Sequence, residues 1–180
     1  MIIAVFGLPG SGKSYFAREL AKRIDAHYES SDVIRKQLFS DPSYSDEEKK
    51  KVYQELCRIM YDYLHCRQPL VLDATFFKRD IRAQFRQASN SVGCTIAWIE
   101  IKASDQTVRN RLSTPRTNSD ADYEVHTKIR EVFQPMREPH LVLVSTDDNL
   151  DSMIGSALDY LERFKPRNEV KAGNLKSIIP

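Results

Sequence analysis

The chain has 180 residues, of which 41% are hydrophobic and 29% charged, with a net charge of +2. That length buries a core without disulfides and makes one domain the expectation; the composition is that of an ordinary soluble globule, and the small net charge argues against a protein that coats nucleic acid, though not against an enzyme that grips one strand end. No apolar run approaches a membrane span, and no basic-then-apolar leader with a cleavage site opens the chain. Three unpatterned cysteines (Cys57, Cys66 and Cys94) read as reduced thiols, so the expected compartment is the cytoplasm.

Met1 to Phe6 is an apolar, β-branched run, and it predicts a first strand over Ile2 to Phe6. Gly7-Leu8-Pro9-Gly10-Ser11-Gly12-Lys13-Ser14 follows without a spacer and matches G-x-x-x-x-G-K-[ST] at every required position. A loop of this kind needs backbone shapes that side chains forbid, and its N–H groups then surround an anion. The helix expected from about Lys13 adds its N-terminal partial charge. Lys13 is placed to reach the β- and γ-phosphates of a nucleoside triphosphate, and the Ser14 hydroxyl to ligate Mg²⁺. Pattern and context agree, which argues against a strand–helix turn that binds nothing.

That first helix carries Phe16, Leu20 and Ile24 on one face. Ala26 to Ser30 reads as a short strand, and Asp32 to Phe39 as a short helix ending near Asp41-Pro42. Ser45 caps a long helix with acids in its first turn and an apolar stripe of Val52, Leu56, Ile59, Met60, Tyr63 and Leu64. Its tyrosines read as core or rim. Leu70 to Asp73 is a buried strand, Asp80 to Ala88 a helix, and Thr95 to Ile101 a strand with the lone tryptophan, Trp98. Ser104 caps a helix through Leu112, and Ser113 to Asp120 is a polar loop containing Pro115 and Arg116. Tyr123 to Phe133 is helical, His140 to Ser145 the last strand, and Leu150 to Phe164 the last helix. Strand and helix alternate throughout, which implies an α/β fold with a parallel sheet between helices. Residues 165–180 have no periodicity and carry four bases against one acid, so residues 1–164 are nearly neutral, with 23 bases and 24 acids.

Three further features bear on chemistry. Ser30-Ser31-Asp32-Val33-Ile34-Arg35 follows the second strand, and the carboxyl ends of strands face the ligand crevice in open α/β sheets. Asp32 is placed to accept the proton of an attacking hydroxyl, with Arg35 one helical turn on to hold an anionic part of the acceptor. The same spacing also fits Ser31 or Asp32 as a helix cap with Arg35 solvated. Leu70-Val71-Leu72-Asp73 has the Walker-B form, with Asp73 near Mg²⁺ or its waters. Ala74 stands where many ATPases carry the glutamate that activates water, which favours transfer to a bound acceptor over hydrolysis. Arg109, Arg111 and Arg116 flank or enter the polar loop, where a mobile arginine would meet γ-phosphate charge; a basic helix end gives the same pattern. Thr117 to Asp120 superficially matches a guanine-reading motif but lacks an apolar strand before it. The scattered His27, His65, His126 and His140 have no metal-ligand spacing.

These elements, in this order, make residues 1–164 resemble the P-loop "predicted kinase" family, AAA-type ATP-binding kinases similar to zeta toxins, gluconate-type kinases and the kinase domain of polynucleotide kinases. The residues that carry the resemblance are Gly7 to Ser14, Ser30 to Lys36, Val71 to Phe76, and the stretch Arg111-Leu112…Arg116…Ser119-Asp120-Ala121-Asp122. The resemblance implies a three-layer, nucleoside-monophosphate-kinase-like fold with a five-stranded parallel sheet of order 2-3-1-4-5. It implies nucleotide contacts from Gly7 to Tyr15, Asp32 as base, Arg35 and Thr75 toward the acceptor, Ser14 and Asp73 toward Mg²⁺, and a lid near 113–120 carrying Arg116, with Arg111 beside it. ATP and Mg²⁺ are the expected cofactors, and a hydroxyl-bearing small molecule the expected acceptor. The alternatives are a polynucleotide 5′-hydroxyl, or an ATP-binding switch with little turnover. Neither a membrane nor a protein partner is implied.

Overall fold

A computed structural model of the chain describes residues 1–113 and 123–164. The lid expected near 113–120, except Ser113, and the basic tail 165–180 lie outside the described residues. The elements are β1 (Ile2–Phe6), α1 (Lys13–Arg23), β2 (His27–Ser30), α2 (Ser31–Leu38), α3 (Asp46–His65), β3 (Leu70–Asp73) and α4 (Arg79–Asn90). They continue with β4 (Ile96–Lys102), α5 (Asp105–Leu112), α6 (Tyr123–Val132), β5 (Leu141–Val144) and α7 (Leu150–Leu161), closed by a 3₁₀ turn at Glu162–Phe164.

The five strands form one parallel sheet of order β2-β3-β1-β4-β5, as the resemblance implied. A central parallel strand is covered on both faces, and all five β1 residues are accordingly buried. One face carries Ile2, Ala4, Phe6, Leu70, Leu72 and Trp98 against Val52, Leu56 and Met60 of α3 and Phe85 of α4. The other carries Ile3, Val5, Val71, Ala97 and Ile99 against Phe16 and Leu20 of α1 and Ile154 and Ala157 of α7. These are the two helical layers of a three-layer α/β fold. Among the described residues no helix is long and apolar enough to cross a membrane, and the three cysteines are unbridged.

Register sets what the sheet presents at its carboxyl edge. Val5 and Ser30 both stand opposite Asp73, so the turn after β1, the start of α2 and the end of β3 come side by side. Two sequence expectations shift here. The edge strand β2 begins at His27 rather than Ala26. Helix α2 is capped by Ser30, not by Ser31 or Asp32: the Ser30 hydroxyl accepts from the Asp32 N–H at 3.2 Å, which leaves the Asp32 side chain outside the cap.

Candidate active site

The Gly7–Ser14 loop is shaped by close approach. Gly7 has φ +144°, and a Cβ there would stand 2.3 Å from the Ile101 carbonyl oxygen. Gly12 has φ +91°, and a Cβ there would stand 2.9 Å from both Arg111 Nη1 and Ser145 Oγ. Both positions exclude a side chain by conformation and by space. Gly12 precedes α1 without a side-chain cap, so the first N–H groups of an 11-residue helix remain for an anion. Lys13 lies in that first turn and faces a cavity beside the loop. Ser14 is half-buried, whereas Tyr15 is 63% exposed and stands outside that cavity.

Asp73, at the end of β3, is 1% exposed. Its Oδ2 accepts from the Tyr28 hydroxyl at 2.8 Å, and its Oδ1 is buried with no hydrogen-bond partner among the described residues. Burial, and then the charge of Asp73, raise the Tyr28 pKa, so the phenol keeps its proton and donates. A carboxylate oxygen left bare in the interior is costly unless a cation or its water meets it. Among the described residues no group of three or more His, Cys, Asp or Glu is arranged around a metal. A hydroxyl, one carboxylate and the oxygens of a phosphate and water form a hard donor set that suits Mg²⁺.

The cavity beside the loop measures about 450 Å³. Lys13, Asp32, Arg35 and Thr75, drawn from three separate stretches of chain, all line it. Tyr44, Lys49, Tyr53, Phe77 and Lys128 complete its polar and aromatic wall. Arg35 is 7% exposed, with its guanidinium over the Tyr44 ring at 4.6 Å. Its Nη1 stands 3.5 Å from Glu48 Oε2, a long contact, and its buried Nε has no partner among the described residues. Glu48 is occupied elsewhere: it accepts from Ser43 N–H at 2.9 Å, Ser43 hydroxyl at 2.8 Å and Tyr44 N–H at 2.7 Å. These bonds, the Ser43 N–H first, hold its pKa below the usual carboxylate value. They also fix Tyr44, at φ +57°, beneath Arg35.

Tyr53 lines the same cavity. Its hydroxyl accepts from the Phe76 N–H at 2.9 Å, and burial raises its pKa. Phe76 has φ +46°, a strained value for a bulky residue. Arg82, 1% exposed, donates from Nη1 to the Phe76 carbonyl at 2.5 Å and from Nη2 to the Gln134 carbonyl at 2.7 Å. The turn that carries Thr75 and Phe77 is therefore held at its N–H and at its carbonyl. Tyr28, Tyr44, Glu48, Tyr53 and Arg82 were not singled out from the sequence. The helical stripe marked the α3 tyrosines only as core or rim, and Glu48 only as a first-turn acid.

The arginines separate. Arg111 Nη1 donates to the Ser11 carbonyl at 3.2 Å and to Ser145 Oγ at 3.1 Å. Its Nη2 reaches the Thr146 carbonyl at 2.9 Å and Asp147 Oδ1 at 2.8 Å. It is seated against the outside of the loop. Arg109 lies over the Tyr123 ring at 4.1 Å, and Arg130 pairs with Asp105 at 3.1 Å. Arg116 lies outside the described residues.

The family described as "AAA domain" matches residues 2–140. Among curated proteins none matches the chain in sequence. Solved structures share the fold. A sugar kinase from Janibacter sp. HTCC2649 aligns with TM-score 0.71 and 15% identity over 89% of this chain and 94% of its own. A gluconokinase from Sinorhizobium meliloti 1021 gives TM-score 0.69 and 20% identity over 89% and 91%. The APS kinase CysC of Mycobacterium tuberculosis, in complex with AMPPNP and APS, gives TM-score 0.69 and 21% identity over 89% and 96%.

Proposed function

We propose, from the premise that this chain belongs to the AAA domain family, that it is an ATP- and Mg²⁺-dependent kinase transferring the γ-phosphate to a hydroxyl of a small molecule. The observation that carries this reading is the single cavity joining Lys13 of the phosphate loop to Asp32, Arg35 and Thr75. A nucleotide-binding loop alone needs no such neighbour. The similarity in fold to a sugar kinase, a gluconokinase and an APS kinase supports it.

In this reading the loop N–H groups and Lys13 hold the nucleotide phosphates. Ser14 and Asp73 would hold Mg²⁺ directly or through its waters, and the ion would neutralise phosphate charge when bound. Asp32 accepts the proton of the acceptor hydroxyl as its oxygen bonds to the γ-phosphorus. The bond from that phosphorus to the β-bridging oxygen breaks, and ADP leaves. Arg35, with an unpartnered Nε, holds an anionic part of the acceptor. Thr75 borders the same acceptor space, and Ala74 offers no base to activate water.

An acceptor screen with [γ-³²P]ATP, spanning sugars, sugar acids, nucleosides, aminoglycosides and 5′-hydroxyl oligonucleotides, tests the reading. Label in a small hydroxyl compound is expected. Label in the oligonucleotide alone would move the assignment to a polynucleotide kinase, and label in none of them would favour a nucleotide-dependent switch. A cytoplasmic setting would supply the ATP that this reading requires.

A further inference from the structure

Two side chains grip the phosphate loop from outside, one from each helix bordering residues 114–122. His126 of α6 is 2% exposed, and its Nδ1 stands 2.7 Å from the Pro9 carbonyl oxygen. A carbonyl only accepts, so Nδ1 carries the proton. The Tyr123 ring stacks on His126 at 5.7 Å and 12°, and Arg109 covers Tyr123. From α5, Arg111 Nη1 donates to the Ser11 carbonyl at 3.2 Å, while Ser145, Thr146 and Asp147 anchor the rest of its guanidinium.

The two gripped carbonyls alternate along the loop. Pro9 precedes Gly10, at φ +82°, and Ser11 precedes Gly12, at φ +91°. In a planar trans peptide the carbonyl and the next N–H point to opposite sides. Holding the Pro9 and Ser11 oxygens outward therefore turns the Gly10 and Gly12 N–H groups away from His126 and Arg111. Among the described residues neither N–H donates a hydrogen bond. They are spare donors whose direction is set from behind.

We infer that His126 and Arg111 are positioning residues that strap the loop's carbonyls outward and so aim the Gly10 and Gly12 N–H groups at the phosphates of the bound nucleotide. The inference rests on the reading of the loop as a nucleotide site. It adds that α6, whose Val125, Lys128 and Ile129 line the acceptor cavity, is tied to the nucleotide loop through the His126 hydrogen bond.

The test pairs two substitutions. His126→Phe keeps a ring against Tyr123 and removes the donor. His126→Asn loses the ring but keeps a donor at the δ position. Titration calorimetry with Mg²⁺·AMPPNP is expected to show about tenfold weaker binding for the Phe variant, the scale of one hydrogen bond, and affinity within about threefold of wild type for the Asn variant by the same reasoning. A purely structural role would lower melting temperatures without separating Asn from Phe. Wild-type binding to a folded Phe variant, or equal losses in both, overturns the strap. Failure of the unmodified protein to bind Mg²⁺·AMPPNP would instead remove the nucleotide reading, and the strap with it. If the Phe variant does not fold, amide exchange of the ¹⁵N-labelled native chain decides. The Gly10 and Gly12 amides should exchange fast alone and slow with Mg²⁺·AMPPNP; amides that ignore the nucleotide refute the strap.

Discussion

Asp32 and Asp73 are both carboxylates at the carboxyl edge of the sheet, and their surroundings differ. Asp32 stands in the first turn of α2, with the cap supplied by Ser30, and lines the cavity opened by Lys13 and Thr75. Asp32→Asn is expected to keep ATP affinity and to lower kcat by about a hundredfold or more, the range for loss of a general base. Calorimetry beside steady-state kinetics checks it; lost ATP affinity with kcat intact would make Asp32 a nucleotide residue. Asp73 has one oxygen bonded to Tyr28 and the other bare. In Tyr28→Phe both oxygens are unpartnered and free to rotate, so the Mg²⁺ concentration for half-maximal turnover should rise several-fold while AMPPNP binding in EDTA stays constant. An unchanged Mg²⁺ requirement would detach Tyr28 from the metal. Asp73 was legible in the sequence because an apolar strand ending in Asp is a local pattern. Tyr28 was not, since its partner is 45 residues away.

At the scale of elements, the segment between β3 and α4 stores strain. Phe76 is held in a left-handed conformation between the Tyr53 hydroxyl and the Arg82 guanidinium, and Arg82 also reaches the Gln134 carbonyl. Burial lowers the Arg82 pKa, but a guanidinium stays charged, so removing it strips the buried Phe76 carbonyl and the part-buried Gln134 contact of a charged donor. Arg82→Met is expected to cost about 2–4 kcal/mol in urea unfolding, and to weaken the acceptor more than ATP, because the strained turn carries Thr75 and Phe77. A loss under about 1 kcal/mol would mean the turn holds itself against the cost usual for such contacts. The loop after β1 was legible because its motif sits within eight residues. The cap of α2 was read one or two residues late, since Ser30, Ser31 and Asp32 are all good caps and only the strand's end at Ser30 selects among them. The positive φ at Phe76 has no sequence signal, because contacts from α3 and α4 impose it.

Across the whole molecule, alternation of strand and helix was enough for a parallel three-layer fold, and the strand order came through the resemblance rather than the alternation. The meeting of Lys13, Asp32, Arg35 and Thr75 follows from that order, because β1, β3 and β2 are neighbours in the sheet. The residues that shape the cavity wall came through less well. Tyr44, Tyr53 and Lys128 reach it from separate helices and turns, and no spacing within one element reports on that. Charge adds a prediction at this scale. Residues 1–164 are nearly balanced, so the affinity of a small acceptor should vary little with salt if it is neutral and only modestly if Arg35 holds a single anionic group, whereas a single-stranded polynucleotide would show a log–log slope of about −0.7 per phosphate contact. A steep slope with an oligonucleotide would shift the acceptor class. The central claim is that this cavity moves a phosphoryl group to a bound hydroxyl rather than to water. The measurement that meets it most directly is the partition of ³²P from [γ-³²P]ATP between phosphorylated acceptor and free phosphate, in wild type and in Asp32→Asn. The expected result is label predominantly in the acceptor for wild type, and loss of that transfer in Asp32→Asn with the slow release to water unchanged. Label appearing only as free phosphate, at the same rate in both proteins and with every acceptor tried, would contradict it.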